Sequence, residues 1–364
     1  MDCVKIPVLV AIDPDFWRQR RVLVTGHTGF KGAWLSLWLQ ALGADVTGVA
    51  AGPLASPCAF ELAGVGAHMR ERTLDVRDAG AVRVAVADAA PEIIFHLAAQ
   101  PMVRRSLRDP LLTYEVNVMG TANVLDAVRM AGAGVRAVVL VTSDKCYENP
   151  AGLARRFIEG DALGGEDPYS SSKACAELVV AAYRRSYFSA AGAPCVATAR
   201  AGNVLGGGDW GEDRLLADVV RSVQSGQPLQ VRNPRAVRPW QHVLNPLSGY
   251  LQLAQTLCRR ADAARAWNFG PEAGDARTVS WIVERLGELW EGALRWELDE
   301  AGHPPEATHL ELDSEAAERE LGWRPRWDLG DGLAAAVKWH RAHLRGADMR
   351  AVSLRQIEMF ATTT

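Results

Sequence analysis

Short apolar runs alternate with longer segments of helical periodicity through the first half of the chain. The alternation predicts helices over 30–42, 111–131 and 169–188, and buried strands over 22–25, 45–49, 93–97, 137–142 and 195–200. Strands and helices that alternate in this way specify a parallel sheet with helices on both faces. Continuously apolar strands suit burial on both sides. The predicted fold class is therefore α/β, with a doubly wound parallel sheet.

The pattern becomes looser after residue 200, where glycine-rich and proline-containing loops separate the predicted helices at 215–225, 246–260, 278–290 and 332–340. This change predicts a smaller C-terminal α/β lobe beside the sheet domain. We expect the sheet domain to cover 1–200, with 235–262 returning to it, and the lobe to comprise 201–234 and 263–347. The remaining residues, 348–364, are expected to form a C-terminal tail.

Composition and charge narrow the class of partner. The 364 residues suggest about two domains. Lys and Arg total 40 against 43 Asp and Glu, a net charge of -3, so the attraction that nucleic-acid binders use is missing and we expect no such partner. The six cysteines form no C-x-x-C pair, which favours reduced thiols and no metal site. No apolar run is long enough to span a membrane, so we expect a cytoplasmic protein without a membrane partner.

A glycine-rich loop follows the first predicted strand and opens the first long helix. Its spacing is G-x-x-G-x-x-G, at Gly26, Gly29 and Gly32. Such glycines allow a tight turn, close approach of backbone to a pyrophosphate and close packing of helix on strand, and the helix N-terminus offers N–H groups to the phosphates. Strand, loop and helix stand in the order that a Rossmann-type dinucleotide site requires. The other loop residues expected to contact the dinucleotide are Thr28, Phe30 and Lys31.

One part of the dinucleotide fingerprint is missing. The second strand runs into 49–53, Val-Ala-Ala-Gly-Pro, without the acid that holds a ribose hydroxyl and without an Arg for a 2′-phosphate. We therefore predict NAD as the cofactor, with fewer ribose contacts and weaker retention. Asp75 and Val76, after the third strand, are candidate contacts for the adenine, and a simple loop or capping role for Asp75 is an equal alternative.

The fourth strand ends in small residues that would let a cofactor approach the carboxyl edge of the sheet. These candidate contacts are Leu97, Ala98, Ala99 and Gln100. Asn117 lies in the following predicted helix, where asparagine lowers helix propensity. We expect it to make a backbone or water contact beside the cofactor, with a solvent-facing role as the alternative.

Two short motifs carry the candidate chemistry. Tyr169 and Lys173 form Y-x-x-x-K at the start of a long helix, so both side chains share one helix face. A nearby ammonium group and an oxidised nicotinamide would lower the pKa of the tyrosine and make it a base for a sugar hydroxyl. Ser143, Asp144 and Lys145 follow the fifth strand, where α/β sheets place reactive groups. A solvated charge pair is the plainer interpretation of the last two.

The motifs together resemble the extended short-chain dehydrogenase/reductase family, also described as NAD-dependent epimerases and dehydratases. Within it they are most similar to the branch of nucleotide-sugar 4,6-dehydratases that acts on CDP-glucose, for which Asp144-Lys145 and 232–243 are the most specific segments. The similarity runs from residue 16 to about 349. The segments that carry it are TGHTGFKG, HLAAQPMVRRS, NVMGT, TSDKCYEN, GGEDPYSSSK, RAGNVLGGGDW, RNPRAVRPWQHV and WNFGP.

The resemblance implies a hydro-lyase of deoxysugar biosynthesis that converts CDP-glucose to CDP-4-keto-6-deoxyglucose and water. Tyr169, assisted by Lys173 and Ser143, would deprotonate the C4 hydroxyl while hydride moves from C4 to NAD. Lys145 would remove the C5 proton, Asp144 would protonate the departing C6 hydroxyl, and hydride would return to C6. The division of roles between the last two residues is a hypothesis.

The resemblance also implies substrate contacts and an assembly. Arg238 occupies the place of a pyrophosphate-binding arginine, Asn203 and Gln100 would lie near the pyrophosphate and sugar, and Arg232 is a weaker candidate that could equally belong to a solvated basic loop. The helices over 111–131 and 169–188 would pair with those of a second copy in a four-helix interface, giving a homodimer or, from it, a tetramer.

Two kinds of alternative function stay open. The nearest is another enzyme on the same scaffold, either a 4,6-dehydratase for UDP-, GDP- or dTDP-glucose or a 4-epimerase. The other is a non-catalytic NAD-sensing regulator, which the intact pair of Tyr169 and Lys173 disfavours.

Overall fold

The computed structural model describes residues 12–149, 155–292, 294–299, 301 and 310–363. The helices are α1 Pro14–Trp17, α2 Phe30–Ala41, α3 Ala59–Leu62, α4 Ala79–Ala89, α5 Val103–Arg108, α6 Pro110–Tyr114, α7 Gly120–Ala131, α8 Pro168–Ser186, α9 Leu215–Ser225, α10 Leu244–Leu257, α11 Val279–Leu289, α12 Glu315–Leu321, α13 Leu329–Leu344 and α14 Met349–Thr362. The strands are β1 Arg21–Thr25, β2 Asp45–Ala50, β3 Arg70–Thr73, β4 Ile93–His96, β5 Ala137–Val141, β6 Arg156–Phe157, β7 Cys195–Arg200, β8 Val204–Leu205, β9 Leu229–Val231, β10 Val237–Pro239, β11 Gln241–His242, β12 Ala266–Asn268, β13 Ala276–Thr278, β14 Trp296–Leu298 and β15 Glu311–Leu312.

A seven-stranded parallel sheet forms the centre of the molecule. Its strand order is β12-β7-β5-β4-β1-β2-β3, and every neighbouring pair runs parallel. The order reverses between β1 and β4, which creates the crevice where doubly wound sheets bind ligands beyond the carboxyl ends of their strands. The predicted α/β fold is therefore confirmed.

Both faces of this sheet are covered, because alternate residues of each strand point to opposite sides. Val22 and Val24 of β1 join the core that includes residues of α2 and α10, whereas Leu23 joins the core formed with α4, α7 and α8. All three side chains are almost completely buried. The apolar runs recognised in the sequence thus correspond to strands covered on both sides.

The C-terminal lobe is built from short strand pairs and three amphipathic helices. Its pairs are β10 with β13 and β9 with β14, and its apolar core is shared by α9, α11 and α13. Helix α10 lies in the core of the large sheet instead. This placement is compatible with the expected return of 235–262 to the sheet domain, while the exact division of domains stays a prediction.

The segment designated a tail is helical and packed. Helix α14 lies against α2 and α13, and its Phe360 is fully buried. The Phe360 ring meets those of Trp38 and Trp327 edge to face, at centroid distances of 5.6 and 5.2 Å. Arg326 Nη1 donates a 2.6 Å hydrogen bond to the carbonyl of Ala361 near the helix end. The tail expectation was wrong in this respect, because burial of scattered apolar residues does not need a regular sequence pattern.

The single helix predicted over 111–131 is interrupted. A π-helical turn, Glu115–Met119, separates α6 from α7. Turns of this kind insert an extra residue into the helical ladder and often mark functional sites. Here the turn contains Asn117, which is buried although most of the preceding helix is not.

Neither a membrane-crossing helix nor a metal cluster occurs in the described ranges. No helix among them combines the length and the apolar character that a bilayer span needs. The same ranges hold no group of three or more His, Cys, Asp or Glu side chains placed to bind an ion.

A buried ion pair ties helix α8 to the sheet. Glu177 of α8 and Arg200 of β7 are each 4% exposed in their side chains, and two hydrogen bonds of 3.0 and 2.8 Å join them as a fork. The hydroxyls of Thr142 and Thr198 also donate to the carboxylate. Arg200 Nη1 donates in addition to the Tyr147 hydroxyl at 2.8 Å. Every charge in this network is matched, and buried charges require such matching.

Replacing Glu177 by Gln should destabilise the protein strongly. The amide leaves the Arg200 guanidinium buried without its counter-charge, for which we expect a loss of about 3–5 kcal/mol in the free energy of unfolding. Urea denaturation followed by circular dichroism measures the loss. The control is Glu288→Gln, which breaks an exposed pair with Arg285 and should cost less than about 1 kcal/mol. Similar losses in the two variants would contradict the structural importance of the buried pair.

Candidate active site

The glycine loop between β1 and α2 is closed by contacts that only glycine permits. Gly26 has φ +73°, and a Cβ there would lie 2.7 Å from the backbone nitrogen of Ala98. A Cβ on Gly32 would lie 2.1 Å from the carbonyl oxygen of Gly26. The first glycine therefore lets the loop turn under the end of β4, and the last lets α2 pack on the loop.

The N-terminus of α2 is suited to a phosphate group. Its N-cap is Gly29, and no side chain caps the first-turn N–H groups, so these donors point to the carboxyl edge of the sheet with the positive end of the helix dipole. The Thr28 hydroxyl donates to the carbonyl of Gly52 at 2.9 Å, which fixes the loop against the end of β2. The cradle thus has the backbone donors and the shape that the pyrophosphate of a dinucleotide needs.

A hydrogen-bonded chain fixes the ends of β1 and β4. The Thr25 hydroxyl accepts from the N–H groups of Leu97 and Ala98, at 3.2 and 3.1 Å, so its proton goes to His96 Nδ1 at 2.7 Å. His96 Nε2 then donates to Thr121, whose own proton is given to a backbone carbonyl. Burial lowers the pKa of His96 to about 3, with Lys173 adding to the effect. The histidine is therefore a neutral structural link.

Asn117 connects the cofactor edge of the sheet to the helix that carries Tyr169. Its Oδ1 accepts from the N–H of Gln100 at 2.8 Å, and its Nδ2 donates to the Gln100 carbonyl and to Ser172 Oγ, at 3.1 and 2.9 Å. Ser172 in turn donates to the carbonyl of Tyr169. The solvent-facing alternative for Asn117 is thus excluded, and the backbone contact expected of it is present.

The side chain of Gln100 is occupied by the protein. Its Nε2 donates to the carbonyl of Met102 and to the Thr113 hydroxyl, and its Oε1 accepts from the N–H of Met102. This cluster leaves Gln100 4% exposed. Direct contact of its side chain with cofactor or sugar stays a prediction, and the geometry gives the residue a role in shaping the loop after β4.

The remaining predicted cofactor contacts lie along the same edge of the sheet. Ala99, with Leu97 and Ala98, is half-buried at the end of β4, and Val76 is buried. The Asp75 carboxylate is bound by the Arg77 guanidinium at 2.7 and 3.0 Å. That pairing is the loop role considered as the alternative for Asp75, and a contact with adenine stays a prediction.

Tyr169 and Ser143 meet at the candidate catalytic centre. Both are buried. Burial raises the pKa of Tyr169 to about 12, and a hydrogen bond with Ser143 that lowers this pKa does not offset the effect of burial. The protein groups alone therefore raise the pKa of Tyr169, and the lower pKa expected beside Lys173 and an oxidised nicotinamide stays a prediction. The physical reason is desolvation, which disfavours the phenolate.

Lys173 lies one helical turn after Tyr169, as the i, i+4 spacing predicts. Its ammonium group donates to the carbonyl of Val141 at 3.4 Å, at the end of β5. Burial lowers its pKa to about 8, while Cys146 and Glu177 act in the opposite direction. The lysine is thus held at the end of β5, beside the residues that follow that strand.

Asp144 is a buried carboxyl group with one unpaired oxygen. It is 2% exposed; its Oδ1 accepts from the Ser143 hydroxyl at 2.9 Å, and its Oδ2 has no partner among the described residues. Burial raises its pKa, against the opposing effects of Lys145, Ser143 and Lys31. A protonated carboxyl group with an unpaired oxygen can donate to a substrate hydroxyl. Lys145 lies half-buried in the same 3₁₀ turn, Asp144–Cys146.

Two residues near this centre, Tyr250 and Arg214, have no signal in the sequence that distinguishes them, and a third, Lys31, has a contact there that the sequence did not predict. The hydroxyl of Tyr250, a buried residue of α10, lies 3.5 Å from Lys31 Nζ. Lys31 was predicted only as a cofactor contact, but its positive charge also lowers the pKa of Asp144. Desolvation lowers the pKa of Lys31 itself to about 8. The positive charge of Arg214 lowers the pKa values of both Lys31 and Tyr169. In a sequence, a tyrosine on an apolar helix such as Tyr250 is ordinarily interpreted as a core residue, and an arginine just before a helix such as Arg214 as a solvent-exposed residue.

The predicted substrate residues fall on the lobe side of the centre. Arg238 is buried and donates a 3.0 Å hydrogen bond to the carbonyl of Val237. Its positive charge lowers the pKa of Asp144. Asn203 is half-buried between β7 and β8. Arg232 forms a 2.6 Å ion pair with Asp213, so the solvated alternative does not describe it. The structure brings the reactive groups and Arg238 together, whereas Arg232 is paired with Asp213.

Comparison with known proteins identifies the class to which this fold and site belong. Residues 22–270 match the NAD dependent epimerase/dehydratase family. The chain belongs to this family, whose description agrees with the NAD predicted from the glycine loop.

Two sequences and one structure illustrate the similarity. The chain is 47% identical over 358 residues to a CDP-glucose 4,6-dehydratase of Salmonella typhimurium (97% of this chain, 99% of the relative). It is 31% identical to a dTDP-glucose 4,6-dehydratase of Streptomyces griseus (88% and 94%). A dTDP-glucose 4,6-dehydratase of Streptomyces venezuelae, crystallised with NAD and TYD bound, superposes with a TM-score of 0.75 at 27% identity (90% and 99%).

Replacing Lys173 by Met should change how stability depends on pH. Lys173 has a pKa of about 8 in the folded protein against 10.5 for the ordinary group. Between these values the unfolded chain binds a proton that the folded protein does not, so wild-type stability should rise with pH. The variant lacks this gain, and the difference should reach about 3 kcal/mol.

Urea denaturation of both proteins from pH 8 to 10.5 measures this difference. Tyr169 titrates in both proteins, so its effect cancels. The exposed Lys338 provides the control, and Lys338→Met should follow the wild-type curve. Parallel curves for Lys173→Met and wild type would show that Lys173 is not desolvated.

Proposed function

We propose that this chain is an NAD-dependent hydro-lyase that converts CDP-glucose to CDP-4-keto-6-deoxyglucose and water. The observation that carries the proposal is the buried Asp144, with an unpaired oxygen and a raised pKa, next to Lys145 and close to Tyr169. Removal of the C6 hydroxyl needs an acid at this point, whereas a 4-epimerase does not. The 47% identity to a CDP-glucose 4,6-dehydratase supports the same substrate.

The cofactor would be held by the glycine loop and the edge of the sheet. Gly26, Gly29 and Gly32 allow close approach, and the first turn of α2 offers N–H donors to the pyrophosphate. NAD, when bound, supplies reversible oxidation at C4 and reduction at C6 of the sugar. The proposed contacts along the sheet edge are Thr28, Phe30, Lys31, Asp75, Val76, Leu97, Ala98, Ala99, Gln100, Asn117, Tyr169 and Lys173.

Oxidation at C4 would depend on Tyr169. As a phenolate, Tyr169 accepts the proton of the C4 hydroxyl, and Ser143, hydrogen-bonded to Tyr169, would hold the C4 hydroxyl within reach. Because burial keeps Tyr169 protonated in the chain alone, a positive charge beside it is needed to make it a base, and Lys173 is a residue of the right sign on the same helix face. A cationic nicotinamide has the same effect on the local potential.

Elimination would use the pair after β5. Lys145 takes the proton from C5, which is acidic once C4 is a ketone, and Asp144 gives a proton to the departing C6 hydroxyl. The raised pKa of Asp144 suits this role because it favours the protonated form that the step requires. In this division Lys145 acts as a neutral amine, which becomes an ammonium group when it takes the C5 proton, and Asp144 becomes a carboxylate when its proton leaves with the C6 hydroxyl as water.

The lobe would bind the nucleotide. Arg238, buried and acting on Asp144, is placed to bind the diphosphate next to the sugar, and a guanidinium group binds phosphate with two parallel hydrogen bonds. Asn203 and Arg232 complete the proposed contacts, with Gln100 on the sheet side. In this arrangement residues 1–200 with 235–262 form the NAD-binding domain and 201–234 with 263–347 form the substrate lobe, and Arg238 contributes to the substrate site from the segment that returns to the first domain.

We also propose that two copies associate through α6, α7 and α8. Apolar side chains on these helices are exposed, with Leu111 at 74%, Met119 at 54% and Leu178 at 58%. A monomer rarely leaves such groups in water on neighbouring helices. A second copy of the same face would cover them in a four-helix arrangement, and a tetramer would be a pair of such dimers.

The substrate is tested by comparing CDP-, dTDP-, UDP- and GDP-glucose with purified protein and NAD. We expect a 4-keto-6-deoxy product, detected by its absorbance in alkali and by mass loss of water, with kcat/KM for CDP-glucose at least about tenfold above the others. A preference for another of these nucleotide sugars would change the proposed nucleobase of the substrate. Formation of a 4-epimer without loss of water, or no turnover of any sugar, would contradict the proposed reaction.

Replacing Asp144 by Asn should separate oxidation from elimination. The amide keeps the shape but cannot supply a proton to the C6 hydroxyl, so elimination should slow by about 10²–10⁴-fold. Reduced cofactor should then accumulate in a single turnover, visible by its absorbance. Unchanged thermal unfolding would show that the fold is intact. Loss of both steps together, with NAD binding retained, would place Asp144 outside the elimination chemistry.

A further inference from the structure

The loop between β8 and α9 lies across a junction between the sheet domain and the lobe. Its residue Asp213 lies between two arginines, 3.6 Å from Arg104 Nη1 of α5 and 2.6 Å from Arg232 Nη1, which follows β9. The same oxygen, Oδ1, makes both contacts. The three side chains are between 25% and 30% exposed, so this is a partly desolvated triad that joins two parts of the molecule.

This triad lies beside the proposed catalytic centre. Helix α5 contacts α8 directly, since Ser106 Oγ accepts a 3.1 Å hydrogen bond from the N–H of Tyr169. Arg214, the residue after Asp213, is close enough to Tyr169 to affect its titration. Asp213 and the two arginines that it holds therefore lie next to Arg214, whose positive charge acts on Tyr169.

Electrostatics explains why a carboxylate is needed here. Two guanidinium groups that approach one point repel each other, and they stay together only if a negative charge lies between them. Asp213 supplies that charge, and its backbone has φ +60°, a conformation that residues other than glycine seldom adopt. Such a conformation persists where surrounding contacts hold it, often at a functional site.

The bond to Asp213 involves one amino group of Arg232. A guanidinium carries five N–H donors in a planar fork, so binding a carboxylate on one side fixes the direction of the others. A diphosphate carries two negative groups and suits a site where two such forks are held side by side. Asp213 itself cannot bind the diphosphate, because both are negative.

We propose that Asp213 is a positioning residue for the diphosphate of the nucleotide substrate, acting by holding Arg104 and Arg232 together beside the proposed catalytic centre. The inference rests on the proposed function for the identity of the ligand, a nucleoside diphosphate. It adds two residues, Asp213 and Arg104, to the substrate side, and it gives Arg232 a defined orientation.

The chain offers a matched control in the same loop. Glu212 pairs with Arg108 of α5 at 3.5 Å, but both side chains are more than half exposed. If Asp213 only fastened the loop to α5, removing the charge of Glu212 should have a comparable effect. If Asp213 orients phosphate-binding groups, Asp213→Asn should weaken the binding of a nucleoside diphosphate, and Glu212→Gln should not.

The test measures the binding of CDP, CMP and cytidine to wild type, Asp213→Asn and Glu212→Gln by calorimetry. In Asp213→Asn we expect the Kd of CDP to rise about tenfold, that of CMP to rise less and that of cytidine to stay within about twofold. The KM for CDP-glucose should rise with that Kd while kcat changes little. Glu212→Gln should match wild type.

A double variant shows whether Asp213 acts through Arg232. The effect of Asp213→Asn on CDP binding should shrink in an Arg232→Ala background, because one of the two groups that it holds is absent. An undiminished effect, an equal loss for cytidine and CDP, or an equal loss in Glu212→Gln would overturn the inference. If another nucleotide sugar is the substrate, its diphosphate replaces CDP. Binding of no nucleoside diphosphate by wild type would also overturn it, whereas binding without turnover would count only against the proposed reaction.

Discussion

The buried pair of Glu177 and Arg200 is the interaction on which the catalytic geometry depends. Helix α8 carries Tyr169 and Lys173, while Ser143 and the residues after it follow β5, and nothing in the local sequence sets the distance between them. The carboxylate of Glu177 binds groups at the ends of both β5 and β7. Because two buried charges tolerate little displacement, the helix is fixed against the strand ends at the level where the reactive groups lie.

Burial also determines the charge state of the site. It lowers the pKa of His96 to about 3 and that of Lys173 to about 8, and it raises the pKa values of Tyr169 and Asp144. Each shift favours the neutral form, which is the common effect of removing groups from water. Because these groups are held out of water, a bound cationic ring or a diphosphate would change the electrostatic potential at the site strongly. Reactivity is then coupled to occupancy.

The sequence was most informative where function follows from local spacing. The strands, the glycine loop and the i, i+4 pair of Tyr169 and Lys173 are all encoded within a few residues, and each stands where it was expected. Residues that matter through distant partners gave no such signal. Tyr250 resembles any core residue of an apolar helix, the side chain of Gln100 is bound by its own loop, and Asp213 gains meaning only from arginines that are remote in sequence. The raised pKa of Tyr169 likewise depends on burial, which spacing does not reveal.

The packing of α14 on α2 has a consequence for the biosynthesis and engineering of the chain. Helix α2 follows the glycine loop, and its Trp38 is covered by Phe360. During synthesis Phe360 leaves the ribosome long after the glycine loop. Until then the nascent sheet domain exposes an aromatic surface that it cannot cover by itself. The dinucleotide-binding half is therefore not a separable module. Cutting the chain between the lobe and α14 would expose the side of α2 that α14 covers. A circular permutation that joins the two chain ends would keep α14 and α2 in one continuous segment.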